Sequence, residues 1–243
     1  MSQLSSHYLF SDANLVAYYQ FEGSSADSKG SNTGTDTAIT YNMASGRFGQ
    51  GASFNGTTSK IALTTEQTAT VGTFSCWFKV TSAAVLGLYS QGKSAGGDTD
   101  RIHFEINAGK LELTTVQSST TTTSVATNAL FNDNLWHHGV ITVDDAGNKL
   151  FVDGAQQAVT YTNGSASTSV WFGDISSVTD TKDIGTLNIN GVFFNFFSGT
   201  MDEVAIFSRA LTLGEIQSLY NANHLSDFQR PSRPAPFKPG IAR

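Results

Sequence analysis

Cysteine occurs once in 243 residues, at Cys76. A lone thiol makes no internal disulfide and no multi-cysteine metal site, so neither a disulfide framework nor a zinc cluster holds this chain together. Proline occurs four times, all between Pro231 and Pro239, so nothing upstream is punctuated by it. Charged residues make up 14%, against about 25% in an ordinary globular protein. Lys plus Arg number 14 against 20 Asp plus Glu, a net charge of −6. So acidic a chain lacks the basic footprint that nucleic acid demands. No apolar run approaches the ~18 residues needed to span a membrane. Met1 to Tyr8 has neither a basic nor an apolar leader region, so no secretory signal is expected there.

The missing charge is replaced by Ser, Thr, Asn and 23 Gly, with 39% hydrophobic and 11% aromatic residues. That mixture suits strand surfaces and turns better than helices. A chain this long buries roughly three-quarters of its unfolded surface. Short alternating runs recur between Gly/Asn/Asp/Ser clusters: Leu15–Phe21, Ser59–Leu63, Thr73–Val80, Val85–Ser90, Arg101–Ile106, Lys110–Val116, Trp136–Val143, Lys149–Val152, Val170–Phe172, Val192–Phe197 and Met201–Phe207. Many short strands with turns between them predict an all-β sandwich or barrel. Asp144–Asn148 reads as a hairpin loop.

Thr212-Leu-Gly-Glu215 is a capping box, and Leu213, Ile216, Leu219 and Tyr220 form one stripe, predicting a helix over 213–222. The Thr/Ser-rich tract Thr114–Thr127 reads as a loop or edge strand. Gln229–Arg243 holds every proline, with Arg230, Arg233, Lys238 and Arg243 and no acid, and reads as an extended basic arm. The division expected is a lead at 1–13, one domain at 14–225 and the arm at 226–243.

Four segments together resemble the LamG-like family: Leu15-Val-Ala-Tyr-Tyr-Gln-Phe-Glu-Gly23 with Asp27-Ser-Lys-Gly30; Gly46-Arg-Phe-Gly-Gln-Gly-Ala-Ser-Phe-Asn-Gly56; Leu135-Trp-His-His-Gly-Val-Ile-Thr-Val-Asp144 running on to Lys149–Gly154; and Gly199–Ile216. The resemblance implies a concanavalin A-like jelly roll, two antiparallel sheets face to face with one short C-terminal helix. Trp136 is expected to open a strand feeding the core. Members of the family bind sugars, bind proteins or act as spacers, and some relatives of the wider fold hydrolyse glycans.

Hydrolysis needs two carboxylates flanking a bond. The Glu-x-Asp-x-x-Glu strand of the hydrolase relatives is absent, and adjacent pairs such as Asp202-Glu203 are expected to diverge on a strand. No enzyme is expected. Gly87–Ser94 fits the phosphate-loop spelling, but Gly96, Gly97, Asp98 and Asp100 follow where that mechanism needs a helix. His137 and His138 are adjacent in a strand, so one should pack and one should face solvent, with no shared metal. Cys76 beside Trp77 reads as a buried inert thiol. Asn55-Gly-Thr57 and Asn163-Gly-Ser165 spell glycosylation acceptors and read as turns.

Calcium is the cofactor to consider, since it takes six to eight oxygens. The resemblance implies a structural ion where first and last strands meet, nominating Glu22 or Asp27 together with Asp202; Asp98 and Asp100 form a second candidate. Val192–Phe197 carries phenylalanine on both strand faces, which marks either a covered face or a contact surface. Phe194, Phe196, Arg230, Arg233, Phe237, Lys238 and Arg243 are the partner-contact candidates. A lone copy of this domain without a leader fits a bacteriophage virion protein, a capsid decoration or tail component made in the host cytoplasm. Its partners would be other virion proteins or further copies of itself. The alternative is a lectin-like module recognising a cell-surface glycan, with neither nucleic acid nor membrane as a partner.

Overall fold

A computed structural model describes residues 8–64, 67–93, 100–175 and 181–228, with side chains as far as Ala222. A 3-10 turn, Tyr8–Ser11, precedes β1 (Leu15–Tyr19), β2 (Thr35–Thr37), β3 (Thr40–Asn42), β4 (Gly51–Asn55) and β5 (Lys60–Ala62). β6 (Gly72–Lys79), β7 (Leu86–Gly92), β8 (Arg101–Asn107), β9 (Lys110–Gln117) and β10 (Thr120–Thr127) follow. Next come β11 (His137–Asp144), β12 (Gly147–Val152), β13 (Ala155–Gln156), β14 (Val159–Asn163) and β15 (Thr181–Ile184). The last elements are β16 (Leu187–Ile189), β17 (Val192–Phe194), β18 (Ser198–Phe207) and a helix, α1 (Leu213–Phe228).

The strands make the expected all-β sandwich of two antiparallel sheets. Sheet 1 runs β13-β12-β11-β6-β18-β4-β3, with β1 also pairing β18; sheet 2 runs β14-β10-β9-β8-β7-β15-β5-β2. The hairpin β16–β17 stands apart as a two-stranded ribbon. Alternation sets the core. Phe74, Cys76 and Phe78 of β6 face Ile102, Phe104 and Ile106 of β8 in one apolar cluster. The rings of Phe74 and Phe104 meet across the gap with centroids 4.7 Å apart. Each such side chain contributes roughly 1.5–3 kcal/mol of burial.

Sheet 1 is buried on both faces. Its outer side holds Leu15, Tyr18, Val140, Phe151, Ala205 and Phe207 against Leu9, Leu211 and Ile216. The 3-10 turn and α1 supply that cover, so the lead contributes Leu9 to the fold. The capping box forms as read: Glu215 N donates to Thr212 Oγ1 and Thr212 N to Glu215 Oε2. The helix runs to Phe228 rather than stopping at residue 222, because no Gly or Pro occurs between Gly214 and Pro231 to end it.

Other expectations are corrected. Val170–Phe172 is no strand: Trp171 leads into a 3-10 turn at Phe172–Asp174, where Asp174 Oδ2 accepts from Trp171 N at 3.0 Å. The tract from Thr114 forms most of the β9–β10 hairpin, and β14 covers β10, so β10 is not an edge. Val192–Phe197 breaks after Phe194, where Asn195 takes φ +51°. The strand after Leu135 starts at His137, leaving Trp136 half-buried under the Lys79 ammonium, 5.7 Å from its ring. Asp144 pairs Gly147 in the expected hairpin. The Asn55 side chain accepts from the amides of Thr57, Thr58 and Ser59, so that sequon is a turn.

Candidate functional site

The three nominated carboxylates do not converge. Asp27 accepts the amides of Tyr18, Lys29 and Asn32, closing the loop after β1. Asp202 Oδ2 accepts the successive amides of Arg47 and Phe48, both at 2.8 Å, and Oδ1 accepts Glu203 N. Glu22 accepts Gln50 N at 3.1 Å. Amide hydrogens point at these oxygens where a cation would have to sit, so the residues do not fit calcium. Among the described residues no group of three or more His, Cys, Asp or Glu could hold a metal. Asp98 lies outside the described residues; Asp100 is buried and accepts Ser119 N.

Asp202 and Glu203 do not diverge as expected. The pairing of β18 with β6 shifts register between Asp202 and Ala205, with Glu203 at φ +54°. This bulge brings both carboxyls to one neighbourhood, where the charge of Glu203 acts on Asp202. Burial, then the charge of Glu203, pushes the Asp202 carboxyl up to about 8 against its three amide donors. Tyr18 Oη donates to Glu203.

Both histidines are buried. His137 sits between Asp153 at 2.8 Å and Asp133 at 3.1 Å. Burial opposes its charge, but those two carboxylates raise its pKa. His138 meets Ser75 Oγ at 2.8 Å and lies beneath Trp77 and Tyr220. Burial lowers its pKa to about 4, and Nδ1 has no partner, so a Ser-His pair exists without a third member or access. Burial pushes the Cys76 thiol up. Gly87 to Gly92 lies in β7 and no helix follows in the described part of that phosphate-loop spelling.

Phe197 is in the core, edge-on to Phe54. Phe193 lies under the Lys60 ammonium at 4.2 Å, and Phe194 meets the His103 ring edge-on. Phe194 and Phe196 are half-buried, and α1 covers sheet 1 rather than these rings. Arg230, Arg233, Phe237, Lys238 and Arg243 lie outside the described residues.

Polar side chains also gather on the outer face of sheet 2. Cross-strand pairing lays two rows over it. One reads Ala126–Glu112–Glu105–Gly87, the other Ser124–Thr114–His103–Ser90–Asp183. Thr114 Oγ1 reaches Glu105 Oε1 at 3.2 Å and Glu112 Oε1 at 3.5 Å. Glu112 also accepts Ser124 Oγ at 3.0 Å and Asn107 Nδ2 at 2.9 Å. Thr162 on β14 extends the row to the exposed edge, donating to Ser124 Oγ at 2.6 Å. The glutamates lie deep, 6% and 9% exposed, with Thr114, Ser124 and Asn107 half-exposed around them.

The β16–β17 hairpin walls this floor on the β7 side. Its approach requires Gly87, where a Cβ would stand 2.5 Å from the Thr186 carbonyl carbon. His103 Nε2 lies 3.3 Å from Asn188 O. Lys60 anchors the far side through Asp183 at 3.4 Å. Burial, then Arg101, lowers His103 to about 3, so it is neutral. Burial, then Glu112, pushes Glu105 up to about 7. The floor is therefore rich in oxygen acceptors and hydroxyls, with Arg101 on the strand face of His103 and Glu105 and its charge acting on both.

Sequence reasoning missed this pair. The signal was present: Asn107-Ala-Gly-Lys110 is a two-residue hairpin loop with Ala108 at φ +49° and Gly109 at φ +80°. Asn107 therefore opposes Lys110, and counting back places Glu105 opposite Glu112.

Residues 54–217 match the family described as Laminin_G_3, of the concanavalin A-like lectin/glucanases superfamily. No curated protein sequence matches the chain. Domain 4 of AbnA, an extracellular GH43 arabinanase from Geobacillus stearothermophilus, solved with arabinotriose, superposes with a TM-score of 0.65 at 20% identity, covering 85% of this chain and 98% of that one. The CBM40 of the Ruminococcus gnavus IT-sialidase, solved with α2,3-sialyllactose, gives 0.54 at 20% identity over 63% and 84%. The binding domain of Paraclostridial Mosquitocidal Protein 1 gives 0.61 at 16% identity over 86% and 52%. At such identities these likenesses speak for the fold. The family match covers most of the sequence, from β4 into α1, and the chain belongs to the Laminin_G_3 family of the concanavalin A-like lectin/glucanases superfamily.

Proposed function

We propose that this protein is a non-catalytic carbohydrate-binding module that takes a glycan on the outer face of sheet 2. The carrying observation is the Glu105–Glu112 pair, ringed by Thr114, Ser124, Asn107 and Thr162 on one sheet face. Sugar hydroxyls are donors and acceptors at once. A carboxylate accepts two neighbouring hydroxyls, while Ser and Thr hydroxyls rotate to give or receive. Sugar-bound neighbours of the same fold support the reading. The virion role and its capsid or tail partners draw no such support, so the glycan-binding alternative becomes the main reading.

A carboxyl pair with one raised member is also raw material for glycoside hydrolysis. Here both glutamates sit on one floor and share one hydroxyl, and Glu112 has donors on both oxygens. That arrangement holds a sugar rather than flanking its bond. No calcium step enters, because the nominated carboxylates hold backbone amides.

The test is a glycan array with the full chain, followed by calorimetry on the best hit for the protein and for Glu112→Gln combined with Thr114→Val. Saturable binding that falls at least tenfold in the double variant supports the site. A blank array from folded protein, or undiminished binding by the double variant, refutes it.

A further inference from the structure

The sequence holds three Asn-Gly steps, Asn55-Gly56, Asn163-Gly164 and Asn190-Gly191. Such a step is chemically weak. Glycine has no Cβ to shield its backbone nitrogen, and that nitrogen can reach the side-chain carbonyl carbon of the asparagine and close a five-membered ring. The attacking residue is the same in all three, so the dipeptide alone does not rank them. The structure does, through what holds the attacking nitrogen and the carboxamide it would attack.

Two of the steps are locked. Asn55 Oδ1 accepts the amides of Thr57, Thr58 and Ser59, and Nδ2 donates to Thr58 Oγ1 at 2.9 Å. Gly56 N donates to Phe197 O at 2.9 Å, so both reactants of that step are engaged. At the tip of the β16–β17 hairpin, Gly191 N donates to Asn188 Oδ1 at 2.9 Å and Asn190 N to Lys93 O at 3.2 Å. Asn190 is half-buried, with its Oδ1 closed off from solvent. An amide that is donating must give up its bond before it can lose the proton and attack. Asn163 differs. It is exposed at the end of β14, the outermost strand of sheet 2, and its side chain makes no hydrogen bond among the described residues. Gly164 follows at φ +74°, ahead of the turn in which Ser165 N donates to Thr168 Oγ1. A Cβ at 164 would stand 2.6 Å from Thr122 O, so the fold itself requires the unshielded glycine.

We propose that Asn163 is a site of spontaneous deamidation, the one Asn-Gly step of the three that the native fold leaves open. The Gly164 nitrogen gives its proton to solvent base and bonds to Asn163 Cγ, and Nδ2 leaves as ammonia with a proton from water. Water then opens the succinimide at either carbonyl, giving aspartate, or isoaspartate with the main chain running through Cγ. Water is the only co-reactant, and nothing is oxidised or reduced. The new carboxylate lies opposite Ser124, whose hydroxyl donates to Glu112, so a negative charge is added at the rim of the polar face. Isoaspartate also lengthens the backbone where β14 already shifts register against Ser124 and Val125.

The experiment incubates the full chain in mildly alkaline buffer, where the amide proton is lost more readily, and follows tryptic peptides by mass spectrometry. Cleavage after Arg47, Lys60, Lys149, Lys182 and Arg209 places the three asparagines on separate peptides. The peptide carrying Asn163 should gain about 1 Da, NH2 replaced by OH, at least tenfold faster than those carrying Asn55 and Asn190. In urea, where no fold holds the other two steps, the three rates should converge to within a few-fold. Asn163→Gln, whose longer side chain would have to close a six-membered ring, should abolish the gain on its peptide. Asn55 or Asn190 reacting as fast as Asn163 in the native protein overturns the inference. So does an Asn163 that stays intact in the native protein while reacting in urea. Rates that keep their native spread in urea overturn it as well, because the fold would then not be what selects Asn163.

Discussion

Glu105 links stability to the proposed site. It is 6% exposed, and burial followed by Glu112 raises its pKa from 4.5 to about 7, against the Thr114 hydroxyl and Arg101. When the folded pKa lies above the unfolded one, the unfolded chain ionises first as pH rises. The native state thus carries no penalty below about pH 4, a growing one between about 4.5 and 7, and the full penalty above. At about 1.36 kcal/mol per unit, that penalty is about 3 kcal/mol at pH 8. Glutamine has the same shape and no charge. Its oxygen still accepts from Thr114, and its amide donates toward Glu112. Glu105→Gln should therefore stabilise the protein by about 3 kcal/mol at pH 8 and by under ~0.5 kcal/mol at pH 4. Urea unfolding followed by tryptophan fluorescence at the two pH values measures both, since Trp77 and Trp171 are buried. An equal change at both pH values, or destabilisation at pH 8, refutes the reasoning. The same substitution should weaken glycan binding, a conflict of the kind functional sites show.

Glu215 caps α1 and holds Arg209 together with Asp12; Glu215→Ala should cost about 1–2 kcal/mol, a melting-temperature drop of several degrees by calorimetry. Arg209 and the Thr212 amide hold the Glu215 carboxyl at about 2, so that contribution is present above pH 4.5 and disappears as pH falls through 2. Asp27→Ala strands three amides and should cost at least ~2 kcal/mol, whereas EDTA should leave the melting temperature of the unmodified protein unmoved; a calcium-dependent shift would restore an ion site. Gly87→Ala drives a Cβ against Thr186 and should cost ~1–3 kcal/mol and weaken glycan binding, as the hairpin lifts. p-Nitrophenyl glycosides should not be hydrolysed; turnover abolished by Glu105→Gln would make the pair catalytic.

The residues most legible in the sequence turn out to be scaffold. Gly46-Arg-Phe-Gly49 is a motif because two successive amides clasp Asp202 while Arg47 lies over Trp77, 4.8 Å from its ring centroid. Phe151–Gly154 is a motif because Asp153 and Gly154 both take positive φ and the Asp153 carboxylate holds His137 and the His138 amide. Local chemistry of this kind is written in short runs and reads directly. What escaped was parity. The bulge at Glu203 puts two neighbouring acids on one side of β18, and Tyr220 of α1 lies over His138 and turns an outward histidine into a buried one. Neither follows from alternation alone, because each depends on an element distant in sequence.

The proposed site escaped for a different reason: sheet recognition of hydroxyls needs no signature. The tract beginning at Thr114 stood out only by composition, and it supplies much of the floor. Threonine is β-branched, so it favours the strand wherever it points. Facing inward, Thr115 and Thr123 are buried. Facing outward, Thr114 serves both glutamates, and Thr162 carries the row to the edge of the sheet. One residue type thus builds the strands and furnishes the polar face. This also accounts for the low charge: Ser and Thr provide polar contacts on a sheet without the field that more Lys, Arg, Asp and Glu would impose.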